Sequence, residues 1–394
     1  MTTVHSLLTD VPSRVDKVRE EMVAVRRDLH AHPELGWHEV RTTELLRRRL
    51  TAAGLSPKVL PTGTGLICDI GSGDTCVALR ADIDALPVPD GVDSPYRSTV
   101  EGVAHACGHD VHTAALLGAG LVLAQISADG LLDRRVRLIF EPAEEVMPGG
   151  ALGVIAAGGL ECVHRIYGLH CDPRLQVGQV GLRVGALTAA ADRILVRLTG
   201  PGGHTSRPHL TADLVYALAT VVTELPAALT RRVDPRAGMS LVWGRITAGS
   251  AANAIPSRGE VEGTLRCLDE RAWRLTAELI PTLAAQLVAP FGVEVNTEVT
   301  HGVPPVVNDA TTIDVLRSAV EQTLGLSAVA PTDQSLGGED FAWYLEHAPG
   351  AMARLGVRPI GTEFAADLHT PGFNAAEEAV ALGTTVLTAS ALLD

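Results

Sequence analysis

Apolar residues recur at helical spacing near the start of the chain. Val15, Val18, Met22, Val25 and Leu29 share one face, which predicts an amphipathic helix running into His30-Ala31-His32-Pro33, where the proline ends it. Short apolar runs then alternate with helical stretches: Val77–Ala81, a helix from about Asp110 to Ile126, Val136–Phe140 and Ile166–Leu169. Such alternation predicts an α/β fold with a mainly parallel, helix-covered sheet. From about residue 187 the order changes. Strand Arg193–Leu198, helix Ala212–Arg231, strands Met239–Ile246 and Glu260–Arg266, helix Arg271–Val288 and strand Val293–Val299 spell β-α-β-β-α-β, a ferredoxin-like unit. The polar stretch His301–Asn308 then leads back into α/β segments that end in Asp367-Leu368-His369-Thr370-Pro371. The expected organisation is one α/β domain made of residues 1–186 and 301–394, with residues 187–300 inserted into it. A chain of 394 residues is also longer than the ~250–300 residues at which single cores stop growing.

Charge narrows the function classes. Forty-six acidic against 32 basic residues leave a net charge of −14, which repels phosphate backbones and anionic membranes. Neither nucleic acid nor membrane is therefore an expected partner. MTTVHSLLTDVPSRVDK lacks a continuous apolar run, and no later stretch is expected to reach the ~18 apolar residues of a membrane span. A cytoplasmic protein is expected. The six cysteines are scattered, which suits reduced thiols better than a disulfide framework.

Several segments place metal-capable side chains just past a predicted strand, where open α/β sheets put their ligand sites. They are Arg80-Ala81-Asp82-Ile83-Asp84, Glu141-Pro142-Ala143-Glu144-Glu145 and Gly168-Leu169-His170; His105-Ala106-Cys107-Gly108-His109-Asp110 opens a helix instead. Together they supply thiolate, imidazole and carboxylate, the donors of a divalent transition metal. Each segment alone reads as well as a structural residue, and the weight lies in their combination. Cys107 and His109 are separated by one glycine, which lets the chain fold tightly round an ion. A nucleophilic Cys107 is the rival reading, but it leaves the acid pair and the distant histidines unexplained. Of the adjacent Glu144 and Glu145, one can bind metal while the other exchanges protons with water.

The segments LHAHPELGWHE, RADIDALP, HACGHDVHTAALLGAG, EPAEE, GLH, GGHTSRPH, NAIP, GTLR, GGEDF and LHTPGFN, in order from about residue 22 to 376, resemble the motif series of the amidohydrolase branch of the aminoacylase/carboxypeptidase metallopeptidases. That branch includes hippurate hydrolases, auxin-conjugate hydrolases and N-acyl-amino-acid amidohydrolases. The resemblance implies two divalent ions (zinc, manganese, cobalt or nickel) held by Cys107, His109, Glu145, His170 and His369, with Cys107 shared. It implies Glu144 as general base and acid, and Asp84 as a residue supporting the ligands. The inserted unit resembles the family's lid and dimerisation domain, which implies a homodimer. Within it, His204 is either a loop histidine or an oxyanion donor, reaching the partner subunit's site as in related dimers. Asn253 and Arg266 are either a turn residue and a surface ion-pair arginine, or the groups that hold a substrate carboxylate. Two departures stand beside the expected ligands and bear on acyl-group preference: Glu141 where many relatives have Gln, and Val146-Met147-Pro148 in place of a glycine run.

The function implied is metal-assisted hydrolysis of the amide bond in an N-acyl amino acid, a small-molecule substrate. A dipeptidase or a deacetylase of a biosynthetic intermediate is the alternative with the same site. A metal-binding scaffold that has lost catalysis is the rival of another class, against which every expected position is filled.

Overall fold

The computed structural model describes residues 2–363 and 365–394, and the chain divides into two compact units. Unit 1 comprises Met1–Gly185, Val307–Asp333 and Asp340–Asp394; unit 2 comprises Ala186–Val306 and Gln334–Glu339. The inserted unit thus extends beyond the expected limit at residue 300, because its last strand, Glu294–Val303, continues past a register shift between His301 and Val303.

In unit 1 the first helix, α1 (Thr2–Ala31), buries Val11, Val15, Val18, Met22, Val25 and Leu29 and stops two residues before Pro33. It is followed by α2 (Val40–Ala52), β1 (Lys58–Val59), β2 (Leu66–Gly71), β3 (Cys76–Asp82), α3 (His109–Ala128), β4 (Arg135–Glu141), β5 (Val163–Gln176) and β6 (Val180–Leu182). One eight-stranded sheet runs β1-β2-β4-β3-β5, then Gly350–Arg358, β6 and Val329–Pro331. Its centre, from β4 through β3 and β5 to Gly350–Arg358, is parallel. Antiparallel pairs occur at β1–β2, β2–β4 and Gly350–Arg358 with β6. All seven residues of β3 are buried, as expected for a parallel strand covered on both faces.

Helix α3 corrects one expectation. Its 20 residues are long and apolar enough to cross a membrane, and 72% of that apolar window is buried inside this fold. It packs on β3, with α1 and Glu378–Leu393 beside it. A helix apolar all round is one that lies inside a core.

Unit 2 is a four-stranded antiparallel sheet in the order Ser240–Ala248, Arg258–Cys267, Ala190–Thr199, Glu294–Val303. Numbered along the chain this is 2-3-1-4, the ferredoxin-like order. Helices Leu214–Leu229 and Glu270–Val288 cover one face, burying Ile194, Val196, Leu198, Leu218, Val221 and Ile280. The other face carries ion pairs, among them Arg245 with Glu260 and Glu262 at 2.9 and 2.6 Å. The unit also holds a small ladder absent from the predicted order, in which Gly203–His204 pairs with Ala254–Ile255.

Candidate metal centre

The parallel centre of the unit 1 sheet brings the candidate donors together. Strand β3 delivers Asp82 and Asp84, β4 delivers the turn Pro142–Glu145, and α3 begins at His109. His170 lies inside β5 rather than past its end. The strand runs on to Gln176 because Gly350–Arg358 continues the ladder beside it, with His170 opposite Arg354. His369 comes from the loop before the last helix, and its N–H donates to the carbonyl of Ala106 at 2.8 Å, which ties it to Cys107.

Five groups of possible donors form among the described residues, and Cys107 belongs to two of them. Ligand atoms of Cys107, His109 and His170 lie within 4.8 Å of one another, and so do those of Cys107, Glu145 and His369. Cys107 Sγ is 3.5 Å from His170 Nε2, and His369 Nε2 is 3.3 Å from Glu145 Oε1. His109 Nε2 is buried without a hydrogen-bond partner among the described residues. Buried polar atoms are ordinarily satisfied, so a buried ring nitrogen left unpaired among other donor atoms fits a cation site. The donor set of one thiol, three imidazoles and one carboxylate fits divalent transition metals.

The surroundings set the donor atoms. His109 Nδ1 donates to the carbonyl of Asp84 at 3.0 Å, and His170 Nδ1 donates to that of Cys171 at 2.8 Å. A carbonyl only accepts, so both rings in their neutral form turn an Nε2 lone pair toward the cluster. Asp84 does more: its Oδ1 lies 3.2 Å from His109 Nδ1, and its Oδ2 accepts the Glu145 N–H at 3.1 Å. Charge in the cluster is lopsided. Burial opposes the imidazolium of His109, but Asp82, Asp84 and Glu145 outweigh it and push the group up to about 10. Burial, and then Glu145 and Glu144, hold the Cys107 thiol well above its ordinary range. A metal-free Cys107 is therefore a thiol and not a thiolate nucleophile, and a bound cation would reverse this. His105, in the same motif, is a buried neutral ring pushed down to about 3 by burial, and takes no part.

Glu144 stands beside the donors. One of its oxygens is 4.0 Å from His109 Nε2, and the residue is 6% exposed. The turn that carries it is strained, since Ala143 has φ +57°, as does the His369 loop at φ +61°. Left-handed conformations in residues with a Cβ cluster at functional sites.

Behind the donors lies a buried layer, of which the sequence marked Arg80, Asp82 and Glu141 only as members of candidate ligand segments. Arg80 is buried and donates to Asp82 at 2.7 Å, to Glu141 at 2.8 and 3.1 Å and to Asp340 at 2.8 Å. Tyr344 adds a hydroxyl to Glu141 at 2.6 Å. Glu141 is thus part of a buried ion network. Val146 and Met147 are 41% and 49% exposed. His112 links the network to β5: its Nε2 accepts the Cys171 N–H at 2.8 Å, so its Nδ1 donates to Asp82 at 2.6 Å. Arg26 joins two ligand segments, donating to Asp110 at 2.7 Å and to Asn374 at 2.8 Å. The visible signal was a set of charged residues inside otherwise apolar text, as in RADIDALP.

The remaining candidates lie in unit 2. The small ladder places Asn253 next to His204, with the Thr205 N–H donating to the Asn253 carbonyl at 3.2 Å; both residues are exposed. His204 Nδ1 accepts the Ser206 N–H at 3.1 Å, which leaves the neutral ring's proton on Nε2. Arg266 is half-buried, burial lowers its guanidinium from the ordinary value, and no carboxylate among the described residues pairs with it.

Comparison with known proteins agrees with this chemistry. The profile of peptidase family M20/M25/M40 matches residues 78–392. A Rhodococcus jostii protein named for a glutamate–cysteine ligase is 48% identical over 377 residues, 95% of this chain, which spans only about half (47%) of that relative. The N-acetyl-L-cysteine deacetylase of Bacillus subtilis is 36% identical over 385 residues, 96% of this chain and 90% of the relative. The crystal structure of the YXEP protein of Bacillus subtilis, described as a dinuclear metal-binding peptidase, superposes with a TM-score of 0.84 at 34% identity, covering 96% of this chain and 98% of that one. The chain belongs to peptidase family M20/M25/M40, as a metal-dependent hydrolase of amide bonds.

Proposed function

We propose that the chain cleaves the amide bond of N-acyl amino acids, releasing a carboxylic acid and a free amino acid. The observation that carries this reading is the adjacent acid pair: Glu145 belongs to a donor group with Cys107 and His369, while Glu144, which shares a group with His109 and Glu145, is in neither group that contains Cys107. Cys107, His109, Glu145, His170 and His369 would hold divalent ions, which when bound would supply Lewis-acid polarisation and lower the pKa of water. Glu144 accepts the proton of the attacking water and returns it to the leaving amine. His204 donates its Nε2–H to the carbonyl oxygen as charge builds there. Arg266, which has no carboxylate partner among the described residues, takes the substrate carboxylate through its two-pronged face, together with Asn253.

A short acyl group is the first to test, because the Bacillus subtilis relative is named for an N-acetyl substrate. Dipeptide cleavage is the second reading. Two subunits joined through unit 2, each lending His204 to the other, complete the proposal, together with a cytoplasmic setting. The test is a panel of acetyl-, benzoyl- and indoleacetyl-amino acids and dipeptides, run on wild type and Glu144→Gln. Turnover of acylated amino acids, reduced ~10²–10⁴-fold in the variant with metal content intact, is expected. Wild-type turnover by Glu144→Gln would overturn the role given to that residue.

A further inference from the structure

The turn that carries the acid pair is gripped from outside the donor cluster. Glu39 occupies the N-cap of α2, where a side-chain oxygen ordinarily accepts an N–H of the first turn, yet its side chain makes no such bond. Glu34 does that work instead, accepting the N–H groups of Arg41 and Thr42 at 3.0 and 2.8 Å. Glu39 is fully buried and turned inward, and its Oε1 accepts the Ala143 N–H at 2.7 Å across 104 residues of chain. Its Oε2 is buried with no hydrogen-bond partner among the described residues. Burying a carboxyl without an opposite charge is unfavourable. Burial, with the nearby charge of Asp84 adding to it, pushes this carboxyl up to about 7.

The backbone peptide that Glu39 holds across the chain is the one whose left-handed φ of +57° aims the next residue, Glu144. A residue with a Cβ leaves that conformation readily once its restraint is removed, and relaxation there swings Glu144. Glu145 is gripped separately, by Asp84 on its own N–H at 3.1 Å. The two acids of the pair are thus held by two different carboxyls, one for each. We propose that Glu39 is a positioning residue for turnover, fixing the Ala143 peptide so that Glu144 faces the metal centre. This rests on the reading of Glu144 as the proton-transferring group.

The test compares Glu39→Ala, which removes the acceptor, with Glu39→Gln, whose amide oxygen can still accept the Ala143 N–H. Both are assayed as zinc-loaded protein on the best substrate of the panel above, below their melting temperatures. Glu39→Ala should lower kcat by ~10²-fold, the scale of a 1 Å misplacement. KM and zinc affinity by chelator competition should stay near wild type, and Glu39→Gln should recover most of kcat. Three results would overturn the proposal: unchanged kcat in Glu39→Ala, equal losses in both variants, or zinc affinity falling together with turnover. Glu144→Gln run in parallel keeps the two ideas apart. Full turnover there sinks the reading of Glu144, whereas an inactive Glu144→Gln beside an unaffected Glu39→Ala sinks only the role of Glu39.

Discussion

Gly108→Ala probes the link between local backbone and metal centre. Gly108 has φ +87° and separates Cys107 from His109. A Cβ there would lie 2.7 Å from Cys171 Sγ and 3.0 Å from Cys171 Cβ. Cys171 has little freedom to yield, because it is buried and its N–H is held by His112 at 2.8 Å. A left-handed residue with a Cβ costs about 1–2 kcal/mol, and overpacking a dense interior costs about 1–3 kcal/mol. Together these predict a loss of about 2–5 kcal/mol, a melting point lower by roughly 5–15 °C. Relief of the clash must move Cys107 or His109, so zinc affinity should fall ~10–100-fold, the scale seen when ligand support is lost. Thermal melts of the metal-free protein and chelator competition measure the two effects. Gly130→Ala is the control, since Gly130 has φ +70° with nothing within 4 Å of the added Cβ. It should share the backbone penalty and leave zinc affinity unchanged. A Gly108→Ala protein with wild-type melting and wild-type zinc affinity would refute the reasoning.

Other expectations follow from named groups. Glu145→Gln should weaken zinc binding more than Glu144→Gln does, because only Glu145 belongs to the donor group with Cys107 and His369; the reverse order in a chelator titration would exchange their roles. Arg266→Ala should raise KM for free-carboxylate substrates far more than for their amides, and equal rises would return Arg266 to a structural role. The metal-free protein should lose stability as pH rises from about 4.5 toward 7, because the folded state keeps a proton on Glu39 that the unfolded state gives up. A shift of this size corresponds to up to ~3 kcal/mol; Glu39→Gln should flatten that part of the melting-temperature profile, and an unchanged slope would count against the assignment.

Much of the site was legible because its chemistry is local in sequence. Cys107 and His109 straddle a glycine, Glu144 and Glu145 are neighbours after β4, and alternating β and α text places such segments at one edge of a sheet. What was not legible is what reaches across the chain. Arg80 meets Asp340, 260 residues on, and Glu39 meets Ala143, with no local pattern to announce either pairing. His112 lies on the buried side of an apolar helix, where an ordinary core histidine would look the same until Asp82 and the Cys171 N–H are seen on its two nitrogens. Strand ends were misjudged for a related reason: the hydrophobic run stops at Leu169, but the pairing with Gly350–Arg358 carries β5 on to Gln176. The apolar α3 was passed over as a membrane-length helix because polar residues at its start, His109, Asp110 and His112, interrupt the reading of its hydrophobicity.

The central claim is that five donors from four separate segments hold the ions on which hydrolysis depends. It is tested most directly by stripping the protein with a strong chelator, verifying metal loss by elemental analysis, and titrating zinc or manganese back while following release of free amino acid from an N-acyl amino acid. The account predicts no hydrolysis by the stripped protein and recovery that levels off near about two ions per chain, since five donors exceed what one tetrahedral ion takes. Undiminished hydrolysis by protein shown to be free of metal would contradict it.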